Sequence, residues 1–368
     1  PVVLPVVGDE FTAPITGIMS YSYGNFKIRP LGQLPPVTSR RLPRESVEPS
    51  DDPAVLSLAA FNVYNLSARN EEAKFDDLAR TIVIGLEAPD IVVLSEVQDG
   101  DGARQTGPPF SELTIARLLQ SISDAGGSAD YRYADISPEA NRDGGEPGGN
   151  IRVGFLYRSD RVELVERPGG DATTAATIRA EDGSAALYPS PARIAPADRA
   201  FAGARKPLVA EFRFRSETLF VIGNHFSSKG GDGYLFGHVQ PPNFNSEVQR
   251  TAQAEAVRQF VEEIHAVDPA ALVVVAGDLN DFVFSPPIRA LQGADRVLLN
   301  LAEELLPESE IYSYIYEGNS QVLDHILVSR ALFERSEPTV QFVHRYAEYL
   351  YENRHSDHDP ILARFRLE

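Results

Sequence analysis

The feature that most constrains the fold of this chain is a series of short apolar segments, each adjoining a group of polar residues. Residues 271–276 form an apolar run that leads into Gly277-Asp278-Leu279-Asn280-Asp281. Near the C-terminus, Ser356-Asp357-His358-Asp359-Pro360 leads into another apolar run at 361–365. Runs of this length predict buried strands. Polar residues at the ends of buried strands predict a sheet with a chemically active rim.

Six stretches share this design, and we expect each to lie at the C-terminal end of an apolar strand. Any one of them alone has an ordinary structural explanation, such as a solvated turn or a hydrogen-bonded histidine. Six in one chain favour a common site. The stretches are Phe61-Asn62-Val63, Leu94-Ser95-Glu96-Val97-Gln98, Gly223-Asn224-His225-Phe226, Gly277-Asp278-Leu279-Asn280, Leu323-Asp324-His325-Ile326 and Ser356-Asp357-His358-Asp359-Pro360.

The side chains in these stretches suit metal-assisted hydrolysis. Carboxylate and amide oxygens favour Mg²⁺ or Mn²⁺ over zinc, which prefers histidine and cysteine. His225 and His358 can exchange protons near neutral pH, and Asp324 could fix the ring of His358 through a hydrogen bond. The sequence contains neither a nucleophilic serine elbow nor a Walker loop, so water is the expected nucleophile. The oxygen donors are Asn62, Glu96, Asp278, Asn280 and Asp357.

Strand and helix patterns alternate from residue 54 onward, which predicts α/β layers with a mixed sheet. Asn70 is expected to cap a helix with a buried face of Phe75, Leu78 and Ile82. A capping box at Ser246-Glu247-Val248-Gln249 is expected to open a later helix. The stretch from 168 to 201 lacks a clear period and reads as a long loop or insertion.

The N-terminal region differs in composition from the remainder. Residues 1–35 read as short β segments around a Gly24-Asn25 turn and are interpreted as the remnant of a small β domain. Residues 36–53 are rich in proline and charge, which predicts an extended linker. The principal domain is expected to cover 54–368, and a chain starting at Pro1 is interpreted as a fragment or processed form with a signal peptide upstream.

The net charge of −19 leaves two interpretations open. Long-range attraction to a polyanion would favour a basic protein. Either arginines and bound cations reverse the charge locally, or the substrate is small and needs no electrostatic steering. The absence of cysteine excludes disulfides, and no apolar run approaches the ~20 residues needed to span a membrane. We predict a monomer.

The order of the six stretches resembles the endonuclease/exonuclease/phosphatase superfamily, and the likeness is greatest to its bacterial extracellular nucleases. Three longer segments, 144–158, 227–232 and 317–325, are similar to that subfamily. The resemblance implies a four-layer α/β/β/α sandwich of two packed mixed sheets, here preceded by the short β-rich N-terminal segment. It also implies an extracellular or cell-surface location.

The resemblance further implies roles for individual residues. Glu96, with help from Asn62 and Asp357, would bind the metal. Asp278 and Asn280 would position the phosphate and the attacking water. The pair Asp324 and His358 and the second histidine, His225, would transfer protons, and which histidine is acid and which base remains open. Further candidates for substrate contact are Asn224, Arg205, Lys229 and Arg152, the last with strand-end salt bridging as an equal alternative.

Two departures from deoxyribonuclease-like members stand out. Those members carry disulfides and place a groove-entering arginine where this chain has Gln98. The turn Asp99-Gly100-Asp101-Gly102 could bind an additional structural Ca²⁺, or it could be an ordinary acidic turn. Tyr234, Phe236 and Phe244 could stack on bases or cover the core.

The sequence therefore predicts a divalent-metal-dependent phosphodiesterase that hydrolyses nucleic acid, with DNA as the expected polymer. An alternative with the same chemistry is a phosphodiesterase or phosphatase acting on a small phosphate ester or a lipid headgroup. A third hypothesis is a catalytically inactive binding module. Such a module would be expected to lack some of these polar residues, and all six stretches keep them.

Overall fold

A computed structural model of the protein describes residues 5–39, 42–128 and 130–368. Two large mixed sheets dominate it. One sheet has six strands, with parallel pairing between two of its central strands and antiparallel pairing elsewhere. In spatial order its strands are Thr339–Phe342, Ile361–Arg366, Val55–Leu66, Ile91–Val97, Arg152–Arg158 and Tyr131–Asp135.

The second sheet has seven strands and also mixes parallel and antiparallel pairs. Its spatial order is Ala192–Arg193, Leu208–Phe214, Glu217–His225, Leu272–Asp278, Asp324–Ser329 and Leu298–Asn300. The short strand Glu163–Leu164 pairs with Leu208–Phe214 as the seventh member.

Alternation along the central strands explains why the two sheets pack face to face. In Val55–Leu66, Leu56, Leu58 and Ala60 belong to the core between the sheets. Ala59, Phe61 and Val63, which point the other way, join the core under the outer helices. Successive strand side chains point to opposite faces, so a strand that is apolar throughout must be covered on both sides.

Helices cover the two outer faces. Glu72–Arg80 and Glu112–Asp124 pack on the six-stranded sheet, and Asn245–Val267 and Pro286–Gln292 pack on the seven-stranded sheet. Two further helices are Leu301–Leu305 and Arg330–Ser336. The arrangement is the α/β/β/α sandwich that the resemblance implied, and this prediction is confirmed.

Three local predictions were wrong. The first helix begins after Glu71, while Asn70 accepts a hydrogen bond from Ser67 N–H in the preceding turn. The 245–267 helix includes Ser246, whose hydroxyl bonds to Asp232 instead of closing a capping box. The 168–201 stretch is not a long loop throughout: it contains a hairpin, Thr177–Glu181 with Ser184–Tyr188, because Ala185 and Leu187 pack into the outer core, and the insertion alternative stays a prediction.

The N-terminal region forms the predicted hairpin, Gly17–Ser22 with Asn25–Pro30. Tyr21 Oη donates to Phe236 O at 2.7 Å, so the hairpin contacts the loop that follows the 217–225 strand. Part of the proline-rich segment also lies against the sandwich, where Val47 is buried and its N–H donates to Gly85 O. Residues 1–4 of the predicted β remnant and 40–41 of the predicted linker lie outside the described residues.

The remaining small sheets are Glu10–Phe11 with Val37–Thr38 and Tyr314–Tyr316 with Asn319–Gln321. Within the described ranges, no helix is both long enough and apolar enough to cross a lipid bilayer.

Candidate active site

The two sheets bring their polar strand ends together at one rim. In the seven-stranded sheet, His225 is in register with Asp278, and Asp278 is in register with Asp324. Three chemically active side chains thus lie side by side on adjacent strands. In the six-stranded sheet, Asn62 is in register with Ser95, next to Glu96.

The prediction that all six stretches lie at the C-terminal ends of strands was wrong for two of them. Asp324 begins the strand Asp324–Ser329, and His358 precedes the strand Ile361–Arg366. Both strands run antiparallel to their neighbours in the centre of each sheet. Their N-terminal ends therefore reach the same rim as the C-terminal ends of those neighbours.

Irregular backbone directs Asn62 and Glu96 toward the rim. The pairing of Val55–Leu66 with Ile91–Val97 shifts register between Asn62 and Leu66, and Ile91–Val97 shifts again against its other neighbour. Glu96 has φ 65°, a left-handed conformation unusual for a residue with a side chain. Bulges of this kind bend a strand and redirect a side chain, and here they place the Glu96 carboxylate beside Asn62.

Asp278 is the centre of the arrangement. Asn62 Nδ2 donates to Asp278 Oδ2 and to Glu96 Oε1, both at 3.1 Å. His225 Nε2 lies 3.5 Å and His358 Nε2 lies 4.0 Å from Asp278 Oδ2. Burial raises the pKa of Asp278 to about 7, and the neighbouring carboxylates of Asp324 and Glu96 add to the rise.

His358 and Asp324 form the predicted pair. His358 Nδ1 lies 2.7 Å from Asp324 Oδ2, and Ser313 Oγ donates to the same oxygen at 2.7 Å. Burial lowers the pKa of His358, but Asp324, Asp278 and the hydrogen bond raise it more, leaving it well above its ordinary value. The hydrogen bond at Nδ1 leaves Nε2 directed toward Asp278.

His225 has the opposite electrostatic environment. Burial lowers its pKa well below the ordinary value, and the charges of Arg205 and His358 lower it further. Arg205 is buried, and its guanidinium donates to Phe226 O while its Nε has no protein partner. Asn224 Nδ2 donates to Ile222 O at 3.1 Å. The two imidazoles of the site thus have pKa values shifted in opposite directions.

The loop after Asp278 is shaped by special backbone conformations. Gly277 has φ 130°, and a Cβ there would lie 2.1 Å from Asn224 O. Asn280 has φ 53°; its N–H donates to Asp278 Oδ1, and its amide donates to Phe226 O at 3.2 Å. These contacts hold the loop against the adjoining strand and orient the Asp278 carboxylate.

The donor set fits a divalent cation. Glu96, His225 and Asp278 have ligand atoms within 4.8 Å of one another, and Asp278, Asp324 and His358 form a second such group. Asp357 Oδ1 and Asp324 Oδ1 are buried without hydrogen-bond partners, a condition that a positive charge would relieve. Asn62 presents its amide nitrogen to the carboxylates and its oxygen to Tyr64 N–H, so it orients the carboxylates, and its role as a ligand stays a prediction.

Two substrate-binding candidates are engaged elsewhere. Arg152 is buried and donates to Asn150 O and Ser137 Oγ, with Asp135 Oδ2 3.4 Å away. These contacts agree with the alternative in which Arg152 forms a salt bridge at the end of its strand. Lys229 Nζ lies 2.8 Å from Asp281 Oδ1. Phosphate contact by either residue stays a prediction.

Lys74 was missed in the sequence. Its Nζ donates to Tyr64 O, and burial lowers its pKa to about 8 against the opposing pull of Glu96 and Asp357. Asn65, which follows Tyr64 in the chain, donates its N–H to Glu96 Oε2 at 2.8 Å. Lys74 thereby supports the turn that orients Glu96. The available signal was its position one turn before Leu78 on the buried face of the helix.

Asp359, to which the sequence assigned no role of its own, organises the loop that precedes the 356–360 stretch. Its Oδ1 accepts hydrogen bonds from the N–H groups of Arg345, Tyr346 and Ala347, and its Oδ2 lies 2.9 Å from His344 Nδ1.

In the Asp99–Gly102 turn, Asp99 accepts a hydrogen bond from Asn150 Nδ2, and Asp101 accepts one from Thr106. Among the described residues, this turn is not part of a metal-sized group, and Ca²⁺ binding there stays a prediction.

Comparison with known proteins agrees with this geometry. Residues 59–358 match the Endonuclease/Exonuclease/phosphatase family. The chain belongs to that family. Members of the family are hydrolases that act on phosphate esters, and they typically use divalent metals.

The solved structures that share this fold have low sequence identity to this chain. Truncated C. elegans TDP2 is 17% identical with a TM-score of 0.52, covering 85% of this chain and 98% of that one. D. rerio TDP2 complexed with single strand DNA product is 19% identical, TM-score 0.50, covering 84% and 98%. The human Nocturnin catalytic domain is 14% identical, TM-score 0.50, covering 85% and 94%. No curated protein matched by sequence.

Proposed function

We propose that this protein is a divalent-metal-dependent phosphodiesterase that cleaves nucleic acid, with DNA as the expected polymer. The observation that carries the proposal is the position of Asp278, whose carboxylate is shared by a Glu96–His225 group and a His358–Asp324 group. D. rerio TDP2, which is similar in fold, was solved with a single-strand DNA product, which supports nucleic acid as the substrate class.

In the proposed reaction, Glu96 and Asp278 would hold the cation, with help from Asp357. A bound cation would neutralise charge that develops on the phosphoryl oxygens. Asn62 keeps the Glu96 and Asp278 carboxylates close together through its two hydrogen bonds. Asn280 and Asp278 orient the attacking water. The buried Arg205 lies near the Glu96 and Asp278 carboxylates, where its positive charge favours an anionic substrate.

The two imidazoles suit opposite proton-transfer roles. His358 is fixed by Asp324 at Nδ1, so it exchanges a proton at Nε2. His225, whose Nε2 also faces Asp278, lies on the neighbouring sheet. Because the pKa of His358 is raised and that of His225 is lowered, the two rings differ in proton affinity. An arrangement of this kind serves general acid–base catalysis.

The second candidate function is hydrolysis of a small phosphodiester by the same site. Two observations favour it: the net charge of −19, and the burial of Gln98, whose amide donates to Asn65 Oδ1 instead of extending toward solvent. A small substrate would need neither electrostatic steering nor contact with a groove.

A cleavage assay tests both candidates. Plasmid, single-stranded DNA, RNA and a chromogenic phosphodiester would be incubated with Mg²⁺, Mn²⁺ or EDTA. We expect metal-dependent degradation of polymer, and His358→Ala should reduce turnover by about 10²–10⁴-fold. His355→Ala, in the same loop but without a contact to Asp278, is the matched control and should retain turnover.

Cleavage of the small ester alone would favour the second candidate. Polymer cleavage that persists fully in EDTA after extensive dialysis would contradict the metal-dependent mechanism. Wild-type turnover in a folded His358→Ala protein would contradict the role of the Asp324–His358 pair.

The extracellular location, the monomeric state and the separate origin of the first 35 residues are further proposals. Size-exclusion chromatography with light scattering would test the monomer: a mass near the 40.3 kDa of one chain is expected.

A further inference from the structure

Two pairs of tyrosines lie beside the Asp357–His358 step. The Tyr314 ring centroid is 4.9 Å from that of His358, and Tyr316 lies 6.5 Å beyond Tyr314 with the two planes 13° apart. In the other pair, Tyr64 lies close enough to Tyr351 for the Tyr351 hydroxyl to raise the pKa of Tyr64. Burial raises the pKa of Tyr64 and of Tyr314, and the nearby Asp357 carboxylate adds to both shifts.

Each pair has an inner ring against the site and an outer ring in solvent. Tyr314 and Tyr64 are partly buried, whereas Tyr316 is 53% and Tyr351 is 71% exposed. The Tyr316 hairpin is braced at its tip, where Asn25 Nδ2 donates to Glu317 Oε2 at 3.0 Å. The outer rings therefore present exposed aromatic surface next to the inner rings of the site.

The net negative charge limits other ways of holding a nucleic acid. The chain carries −19, and the cationic candidates Lys229 and Arg152 are already paired with Asp281 and Asp135, which leaves the buried Arg205 for phosphate contact. Binding that depends on many phosphate contacts requires free lysine and arginine. Stacking of bases on aromatic rings requires none and is tolerant of sequence. Bases in a duplex are already stacked on one another, so their faces are not accessible to such rings.

Building on the proposed function, we infer that Tyr316 and Tyr351 are specificity-determining residues that stack on unpaired bases next to the scissile phosphate. The substrate class of the site is then single-stranded nucleic acid or an unpaired end, in preference to an intact duplex.

Steady-state kinetics of single and double alanine variants test this inference. The substrates are a single-stranded oligonucleotide, the same sequence as a duplex, and a single strand whose bases flanking the cleavage position are replaced by abasic sites. For Tyr316→Ala and Tyr351→Ala we expect kcat/KM on the base-bearing strand to fall about five-fold or more, mainly through KM. The ratio of kcat/KM between the base-bearing and abasic strands should fall with it.

Two sets of controls separate stacking from damage to the fold. Tyr316→Phe and Tyr351→Phe keep the ring and should restore kcat/KM on the base-bearing strand. Tyr23→Ala removes an exposed ring on the N-terminal hairpin and should leave kcat/KM unchanged.

The inference fails if the alanine variants cut the base-bearing strand as well as wild type, or if wild type prefers the duplex. An unchanged ratio between base-bearing and abasic strands would also overturn it, because the loss would then not involve a base. Failure of the proposed function has a different signature, since wild type would then cut no oligonucleotide with any metal.

Discussion

Asp278 shows how one residue can couple two halves of a site. Its carboxylate lies within 4.0 Å of both histidine Nε2 atoms and accepts from Asn62. Buried carboxylates that share a cluster raise one another's pKa because like charges disfavour ionisation. Binding of a cation at this position would favour the ionised form of Asp278 and would therefore change the proton affinity of both imidazoles.

The Asp324→Asn variant tests the electrostatic support of His358. In metal-free protein the wild-type ring should titrate above its ordinary pKa, because the Asp324 and Asp278 carboxylates outweigh burial. Replacing the Asp324 carboxylate by an amide removes one of these charges, so the pKa of His358 should fall. Proton–nitrogen NMR of the histidine rings in EDTA measures the change. An unchanged or higher pKa in the variant would contradict this view.

Lys74→Met tests the support of the Glu96 turn. The side chains are similar in size, but Met cannot donate to Tyr64 O, so we expect lower kcat and about 1–3 kcal/mol of destabilisation at pH 10. The folded pKa of Lys74 is lowered to about 8, so the cost of burying its charge is fully present below pH 8 and is relieved as pH rises. The stability advantage of wild type over Lys74→Met should therefore increase between pH 8 and pH 10.

Urea unfolding of both proteins at several pH values provides the measurement for Lys74. Lys74→Arg is the companion variant, since it keeps a donor. If the difference in unfolding free energy were flat across this pH range, Lys74 would not be buried as described.

At the scale of elements, the close approach of two parallel strands defines the rim. Gly277 pairs with Asn224, and a Cβ at Gly277 would meet the Asn224 carbonyl oxygen at 2.1 Å. Backbone cannot yield as a side chain can. The contact therefore requires glycine at the residue immediately before Asp278.

Gly277→Ala should accordingly destabilise the fold by about 3 kcal/mol or more, since overpacking adds to the cost of a positive φ. Gly126→Ala is the matched control: it also has positive φ (85°), but its Cβ would meet nothing within 4 Å, so a loss of about 1 kcal/mol is expected. Chemical denaturation compares the two. Equal losses would show that the strands can separate at Gly277 without cost.

The sequence predicted the elements and the site to different degrees. The sequence singled out Asn62, Glu96, His225, Asp278, Asp324 and His358 because each adjoins an apolar run, a local signal, and the structure places them at one rim. Ser313, Lys74 and Tyr314 were not found, since each reaches the site through tertiary packing from a segment with no such signal. For Asp324 and His358 the apolar run follows the polar residue, so the sequence itself places them at N-terminal strand ends. The sequence did not reveal that these strands run antiparallel to their neighbours and so reach the same rim.

At the scale of the whole molecule, the net charge of −19 opposes the approach of a polyanion. Salt screens this repulsion, with a Debye length that falls from ~30 Å at 0.01 M to ~10 Å at 0.1 M. If nucleic acid is the substrate, kcat/KM for an oligonucleotide should rise as KCl increases over this range. A steep fall would instead indicate binding dominated by phosphate contacts. The chromogenic diester, which carries a single charge, serves as the control and should respond little.

The origin of the site in two separate sheets has a consequence for how its activity can be tuned. Asn62 and Glu96 belong to one sheet and His225 and Asp278 to the other. The distance between these two sets of side chains is therefore set by the thickness of the hydrophobic core between the sheets. Ala60, Ala210 and Ala276 lie in that core. Replacing one of these alanines by a bulkier aliphatic residue would push the two sheets apart. The distance between the polar groups of the two sheets would then increase, although none of those groups is itself changed.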